Sequence, residues 1–159
     1  MAEAKAKEKR TVEIVGVVPY ELALGPTWTK YFQGFKEGKI LATRCKKCNR
    51  VLLPARPFCP RCFMRLDEWV ELPHEGTIVT WTYVNYTYFG VTEDMIPEIL
   101  ASIKVDGSDT SINSSIGGFN VKDFDLALKK VQVGTRVRAV WREERRGNPR
   151  DIMYWEPIE

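Results

Sequence analysis

The sequence predicts a mainly β fold, and three observations carry the prediction. Short stretches of β-branched and aromatic residues alternate through the second half, Gly and Pro interrupt them at close intervals, and a compact block of cysteines precedes them. Taken in order, the 159 residues divide into a flexible tail (1–19), an amphipathic helical segment (20–41), a small metal-binding ribbon (42–72) and a five-stranded barrel (73–159). Hydrophobic residues at 44 % and charged residues at 28 % are globular values, which sets aside a wholly disordered chain.

Met1 to Arg10 is rich in Ala, Lys and Glu and has no apolar core, so it does not read as a signal peptide. No apolar run approaches the length of a membrane span. Reduced, metal-bound cysteines without a signal point to the cytoplasm. Val12 to Val18 is a β-branched run suited to extended chain, and Pro19 and Gly25-Pro26 punctuate the residues after it. From Thr27 to Lys39 the period becomes helical: Trp28, Tyr31, Phe32 and Phe35 fall at i, i+3, i+4 and i+7 and share one face. Thr27 suits an N-cap and Gly38 a stop, while Gly34 weakens the helix by about 1 kcal/mol relative to Ala, so packing must hold it. That face either covers the chain's own core or docks on another protein.

The ribbon holds all four cysteines. Cys45 and Cys48 are followed, after ten residues, by Cys59 and Cys62, the Cys-x2-Cys…Cys-x2-Cys spacing of a tetrahedral metal site. Two disulfides fit poorly, since each closely spaced pair would have to cross-link within a short segment. Zn²⁺ is the expected ion and iron in a rubredoxin-like site its rival, since thiolate ligands alone separate them poorly. Four protein ligands leave no open position, so the site is structural. Asn49 suits a knuckle that turns through positive φ. Val51 to Leu53 suits a short strand, Pro54, Pro57 and Pro60 stiffen the return, and Trp69 and Leu72 are placed on the ribbon's flank.

Charge is distributed unevenly. Seven basic residues and no acidic one lie between Ala42 and Leu66, so the remainder of a chain with net charge +3 stands at −4. The surplus over the thiolates makes a positive face able to attract phosphates.

The second half reads as strands over Thr77–Phe89, Ile96–Asp106 and Thr110–Ile116. A short helix comes next, with Phe124, Ala127, Leu128 and Val131 on one face and Asn120 as its cap. Two more strands run over Arg136–Arg142 and Asp151–Glu156. Asp106-Gly107 is a hairpin signal. A helix between the third and fourth of five short strands matches the OB barrel better than an SH3-like one.

Catalytic chemistry is missing. The one histidine, His74, lies in a linker-like Leu-Pro-His-Glu-Gly and reads as a surface residue, with a supporting position behind the ribbon's metal ligands as the alternative. The serines occupy no nucleophile elbow, Gly117-Gly118 is too short to cradle phosphate, and the carboxylates are scattered. No catalytic residue is assigned. Two binding functions remain. A single-stranded nucleic acid could stack on Tyr83, Tyr86, Tyr88 and Phe89 beside Arg136 and Arg138, although the acidic remainder of the chain argues against it. Alternatively, a non-catalytic subunit could bind a phosphorylated small molecule together with a partner enzyme.

The run Thr43-Arg44-Cys45-Lys46-Lys47-Cys48, with Leu53 to Cys62, resembles the ribbon of the small zinc-ribbon/OB-fold proteins associated with thiolases, the domain of unknown function thirty-five. Trp69 and Gly76-Thr77-Ile78, Val133 to Trp141, and Asp151 to Pro157 resemble that family's barrel, and the likeness covers roughly Trp28 to Pro157. Ser114 to Gly118 stands where many relatives carry a histidine-containing segment, and no ligand contact is carried over there. The resemblance implies an accessory subunit of a thiolase-type acyl-CoA enzyme complex. An archaeal member bridges acetoacetyl-CoA thiolase and hydroxymethylglutaryl-CoA synthase, helps hold coenzyme A and lets the intermediate pass. The expected partners are therefore a thiolase-fold enzyme, the synthase and an acyl-CoA. Lys47, Arg56, Arg61 and Arg65 are the expected contacts to coenzyme A phosphates, and Trp28, Tyr31, Phe32 and Phe35 to a protein partner.

Overall fold

The computed structural model describes residues 21–87 and 93–158. The tail, the Val12–Val18 run, Tyr88 and Phe89 lie outside them. Helix α1 spans Gly25–Lys36, with Pro26 in its first turn, where a missing N–H goes unneeded. Thr27 is therefore inside the helix and does not cap it. The end falls at Gly38 as expected, although the helical periodicity extends to Lys39. Gly38 has φ +72°, and the N–H groups of Gly38 and Lys39 donate to the carbonyls of Phe35 (2.9 Å) and Gly34 (2.8 Å). This is a Schellman closure, which requires a left-handed residue. Gly34 has a packing reason: a Cβ there would come within 2.8 Å of the Leu41 side chain, so its absence lets the helix lie close against the next strand.

That strand, β1 (Ile40–Arg44), takes in Ile40 and Leu41, which the sequence pattern assigns to the helical segment. It is the centre of a three-stranded antiparallel sheet between β2 (Val51–Leu52) and β3 (Glu68–Leu72), in register Thr43↔Leu52 and Ile40↔Leu72. Trp69 and Leu72 lie on β3; Leu72 is buried, and Trp69 carries the Lys30 ammonium 4.6 Å above its ring.

Only Pro73 and His74 separate β3 from the barrel strands β4 (Glu75–Val84), β5 (Glu98–Val105), β6 (Ile112–Ile116), β7 (Arg136–Trp141) and β8 (Ile152–Pro157). The barrel closes in the order β4-β5-β6-β8-β7, antiparallel throughout except for β6 against β8. Helix α2 (Phe124–Lys130) sits between the third and fourth strands, as the OB fold requires.

Three local expectations change. A bulge between Ile78 and Thr80 shifts the parity of β4, so Val79, expected on the face of Trp81 and Tyr83, points outward. The cap of α2 is Asp123, whose carboxylate accepts from the Leu126 N–H at 3.0 Å; Asn120 instead turns the preceding loop. On α2 only Ala127 is buried, with Val131 buried just past its end, while Phe124 and Leu128 are exposed.

One core runs from Tyr31 and Phe35 on α1, through Ala42, Val51, Leu53 and Leu72, into the barrel around Trp155, whose side chain is fully buried. The ribbon is clasped to the barrel by side chains that imitate a strand partner. The Val51 N–H donates to the Asp109 carboxylate and the Asp109 N–H to the Val51 carbonyl, both at 2.8 Å. The Thr110 hydroxyl accepts from the Leu53 N–H at 2.8 Å and donates to the Leu53 carbonyl at 2.7 Å.

Candidate metal centre and the surfaces around it

Each pair of cysteines sits in a knuckle of the same construction. The N–H of Cys45 donates to the Arg50 carbonyl (2.9 Å) and that of Asn49 to the Cys45 carbonyl (2.7 Å). In the second knuckle Cys59 donates to Met64 (2.9 Å) and Phe63 to Cys59 (2.8 Å). The residue after the second cysteine turns through positive φ in both, +58° at Asn49 and +54° at Phe63. Asn49 turns as its sequence position predicts, and Phe63 is its counterpart.

The knuckles bring Cys45, Cys48, Cys59 and Cys62 together, all four sulfurs lying within 4.8 Å of one another. A tetrahedron with metal–sulfur arms of about 2.3 Å has edges of about 3.8 Å. The Cys48–Cys59 separation of 3.7 Å fits it. Leu52 and Leu66 pack around Cys45 and Cys59 in a small cluster separate from the main core. Left to themselves, the thiols hold protons unequally. Burial pushes the Cys59 thiol up, but donation from the backbone N–H groups of Cys62 and Arg61 more than offsets it and brings it down to about 7. Cys62 is pushed up to about 12, first by burial and then by its neighbours Cys48 and Cys45. Such a set favours a divalent cation that neutralises several thiolates at once.

His74 is not part of this site. Its ring packs 5.3 Å from that of Trp141, whose indole N–H donates to Nδ1 at 3.3 Å, and Trp141 in turn meets Phe35 of α1. The histidine is a packed joint between ribbon and barrel, and it does not support the metal ligands.

Lys47, Arg56, Arg61 and Arg65 are all exposed, and none makes an ion pair within 4.0 Å among the described residues. Arg44 and Lys46, by contrast, face Glu68 (3.6 Å) and Asp67 (2.8 Å). The aromatic four divide by burial. Tyr31 and Phe35 are buried against the chain's own core, which also drives the Tyr31 phenol well above its ordinary value, so neither is open to a partner. Phe32 is partly buried, and Trp28, at the edge, donates its indole N–H to the Ala55 carbonyl at 3.2 Å. Together the four wall an apolar slot of about 250 Å³ closed by Pro54 and Ile152. A wider groove of about 900 Å³ crosses β5 and β6, lined by Trp81, Met95, Glu98, Arg142, Arg150 and Met153; it shares Asn113, Ser114, Pro149 and Ile152 with the slot. The groove's far wall is the 142–151 loop, held by Asp151. This buried carboxylate accepts from the N–H groups of Arg146 (3.0 Å), Gly147 (2.7 Å) and Asn148 (3.1 Å).

Among the described residues of the nucleic-acid constellation, Arg136, Arg138 and Tyr83 are engaged within the chain. The Arg136 guanidinium is held bidentate by Asp106 at 2.7 Å and also faces Glu75, while Arg138 pairs with Glu156. Tyr83 donates its hydroxyl to the Val121 carbonyl at 3.0 Å and packs its ring against Phe124.

Sequence reasoning passes over three features: the clasp of Asp109 and Thr110, the loop anchor Asp151, and a cluster of exposed apolar residues at the second knuckle, Phe58, Phe63 and Met64. Only the last has a signal, visible when the two cysteine pairs are laid over one another.

Comparison with known proteins bears directly on this arrangement. Residues 32–65 match the rubredoxin-like zinc ribbon domain of ChsH2, and residues 69–142 match the C-terminal OB-fold domain of ChsH2. This chain belongs to the ChsH2-type DUF35 family. It is similar to a DUF35 domain-containing scaffold protein of Pyrococcus furiosus, 31 % identical over 58 residues, a match that spans 36 % of this chain and 42 % of that one. The chain thus spans less than half the length of that relative. Among solved structures, the Ltp2-ChsH2(DUF35) aldolase superposes with a TM-score of 0.62 at 20 % identity, over 86 % of this chain and 98 % of that one. A DUF35-family protein of unknown function from Sulfolobus solfataricus gives 0.57 at 24 % identity, over 73 % and 78 %. At these identities the structural likenesses speak for the DUF35 fold alone. Among the described residues, no helix is long and apolar enough to cross a membrane.

Proposed function

We propose that the chain is a non-catalytic accessory subunit of a thiolase-type acyl-CoA enzyme complex, helping to bind coenzyme A and to pass an acyl-CoA intermediate. The observation that carries this reading is the closed, four-cysteine centre built into a rigid ribbon–barrel unit. Such a centre has no open coordination position for substrate. Beside it the described residues bring together no nucleophile and base. The scaffold description of the Pyrococcus relative, and the pairing of a DUF35 protein with Ltp2 in an aldolase, support a role beside a partner enzyme. The cations Lys47, Arg56, Arg61 and Arg65, exposed and without carboxylate partners, are the candidates for coenzyme A phosphates, and the rims of the aromatic slot at Trp28 and Phe32 for a protein contact. The four cysteines are placed to hold a metal, for which the match to a zinc-ribbon family supports zinc over iron.

Purification of the tagged chain from native cells, with mass spectrometry of what accompanies it, tests the reading. The expected result is a thiolase-fold enzyme in stoichiometric amount, with no thiolase activity in the chain alone. Recovery of a bare monomer refutes it. Replacing Lys47 and Arg56 with Glu should weaken coenzyme A binding by the complex; unchanged affinity removes the phosphate assignment.

A further inference from the structure

The second knuckle breaks a rule that the first one keeps. Both knuckles need a residue at positive φ directly after their second cysteine, with the same hydrogen bond back to the first. The first uses Asn, which tolerates this conformation through local polar contacts. The second uses Phe63, a bulky side chain for which left-handed backbone is strained. Burial does not offset that strain, because Phe63 is 81 % exposed. On the same hairpin, Phe58 and Met64 are about half exposed. A bridge sets Phe58 opposite Arg65, and Arg61 and Arg65 flank the aromatic in sequence, both exposed and without an ion-pair partner. Asp67, the carboxylate that feels Arg65, is already held by Lys46 at 2.8 Å. The hairpin is stiffened by its ladder (Cys59 to Met64 and Leu66 to Pro57, both 2.9 Å) and by the metal site behind it. A rigid apolar knob flanked by two unpaired arginines is complementary to an apolar pocket rimmed by carboxylates.

We propose that Phe63, with Phe58 and Met64, is the anchor by which this chain docks on a partner protein, Arg61 and Arg65 meeting acidic residues at the rim of the partner's pocket. This rests on the accessory-subunit reading and refines it, leaving Lys47 and Arg56 as the cations free for phosphate.

The test substitutes Phe63→Asn, the residue that the first knuckle already uses. In the full chain alone, the variant should retain zinc against a competing chelator at least as well as the wild type, with the folding equilibrium constant of the hairpin raised about three- to tenfold as strain is relieved. Weaker zinc retention or a less protected hairpin would make Phe63 a folding residue and overturn the proposal. Against the co-purifying thiolase-fold enzyme, Phe63→Asn should weaken binding about 30-fold or more, as for a hot-spot aromatic, and Arg61→Glu with Arg65→Glu should slow association and weaken or invert its salt dependence. Unchanged affinity in Phe63→Asn overturns the docking surface while leaving the accessory-subunit reading intact. If no thiolase-fold enzyme accompanies the wild type, that reading falls, and the surface survives only if another acidic protein that co-purifies is released by Phe63→Asn. Sedimentation with vesicles containing phosphatidylserine, or a dimer in light scattering, lost in Phe63→Asn, would instead assign the knob to lipid or to a second copy and overturn the partner assignment.

Discussion

Stripping the metal should melt the second knuckle and leave the barrel standing. The hairpin from Arg56 to Arg65 contains ten residues, and fixing their backbones opposes folding by about 10–20 kcal/mol. Its own apolar burial is confined to Cys59, with Leu66 just beyond, in a cluster apart from the main core, and supplies about 3–5 kcal/mol. Metal coordination, about 10–16 kcal/mol in zinc-finger peptides, closes the difference. The ribbon sheet is otherwise placed: Ala42, Val51, Leu53 and Leu72 belong to the core shared with the barrel, and Asp109 and Thr110 hold β2. Hydrogen exchange before and after treatment with a strong chelator should therefore show loss of protection at the Cys59, Phe63 and Leu66 amides. The amides of β4, β5 and β7 should remain protected. Retained protection in the hairpin would refute the dependence on metal; simultaneous loss across the barrel would refute the separation of the two clusters.

Asp151→Asn should destabilise the protein by about 2–3 kcal/mol in denaturant titration, because a charged acceptor for three N–H groups becomes an amide that presents donors to donors. Burial alone would raise the Asp151 carboxyl, but the N–H groups of Arg146, Asn148 and Gly147 hold it below the usual carboxylate range. Its contribution is thus present above the unfolded carboxyl value near pH 4 and lost as pH falls through the lower folded one. The variant should lack that part of the acid-side loss, and a variant with the full wild-type pH slope would refute the assignment. Thr110→Val removes the hydroxyl that serves both backbone groups of the buried Leu53 and should lower stability by about 2–4 kcal/mol, whereas a near-neutral result by thermal unfolding would deny the clasp its role. Arg136→Ala, at an exposed pair, should leave the unfolding midpoint nearly unchanged and single-strand binding undetectable at two salt concentrations; a salt-dependent wild-type affinity lost in the variant would restore the nucleic-acid reading.

The features legible in the sequence are those that depend on neighbours in the chain. The cysteine spacing announces the metal site because two-residue gaps impose knuckles locally. The strand count and the helix between the third and fourth strands announce the barrel. Gly38 announces the end of α1, since its left-handed backbone is a local requirement. The misreadings come from distant partners. Ile40 and Leu41 continue a helical pattern but pair with β3, about thirty residues further on. Val79 loses its inward place to a bulge that only the partner strand β5 reveals. The aromatic face of α1 is ambiguous because periodicity marks a face without naming what covers it. Tyr31 and Phe35 prove to be covered by the chain itself, and Trp28 and Phe32 to stand at its rim. Arg136 and Arg138 look available for an outside ligand until Asp106 and Glu156 are seen beside them.

The clasp at Asp109 and Thr110 has a geometric corollary. Only Pro73 and His74 join ribbon to barrel, His74 is wedged against Trp141, and β2 is stitched to the loop between β5 and β6. The molecule therefore behaves as a set square, not as two plates on a hinge. In the proposed complex, an enzyme seated on the knuckle arm would meet the groove of the other arm at the bearing that this clasp sets. Under that proposal, any adjustment to the length of a bound ligand would fall to the enzyme or the ligand, because opening the angle between the arms would break the hydrogen bonds of Asp109 and Thr110 to Val51 and Leu53.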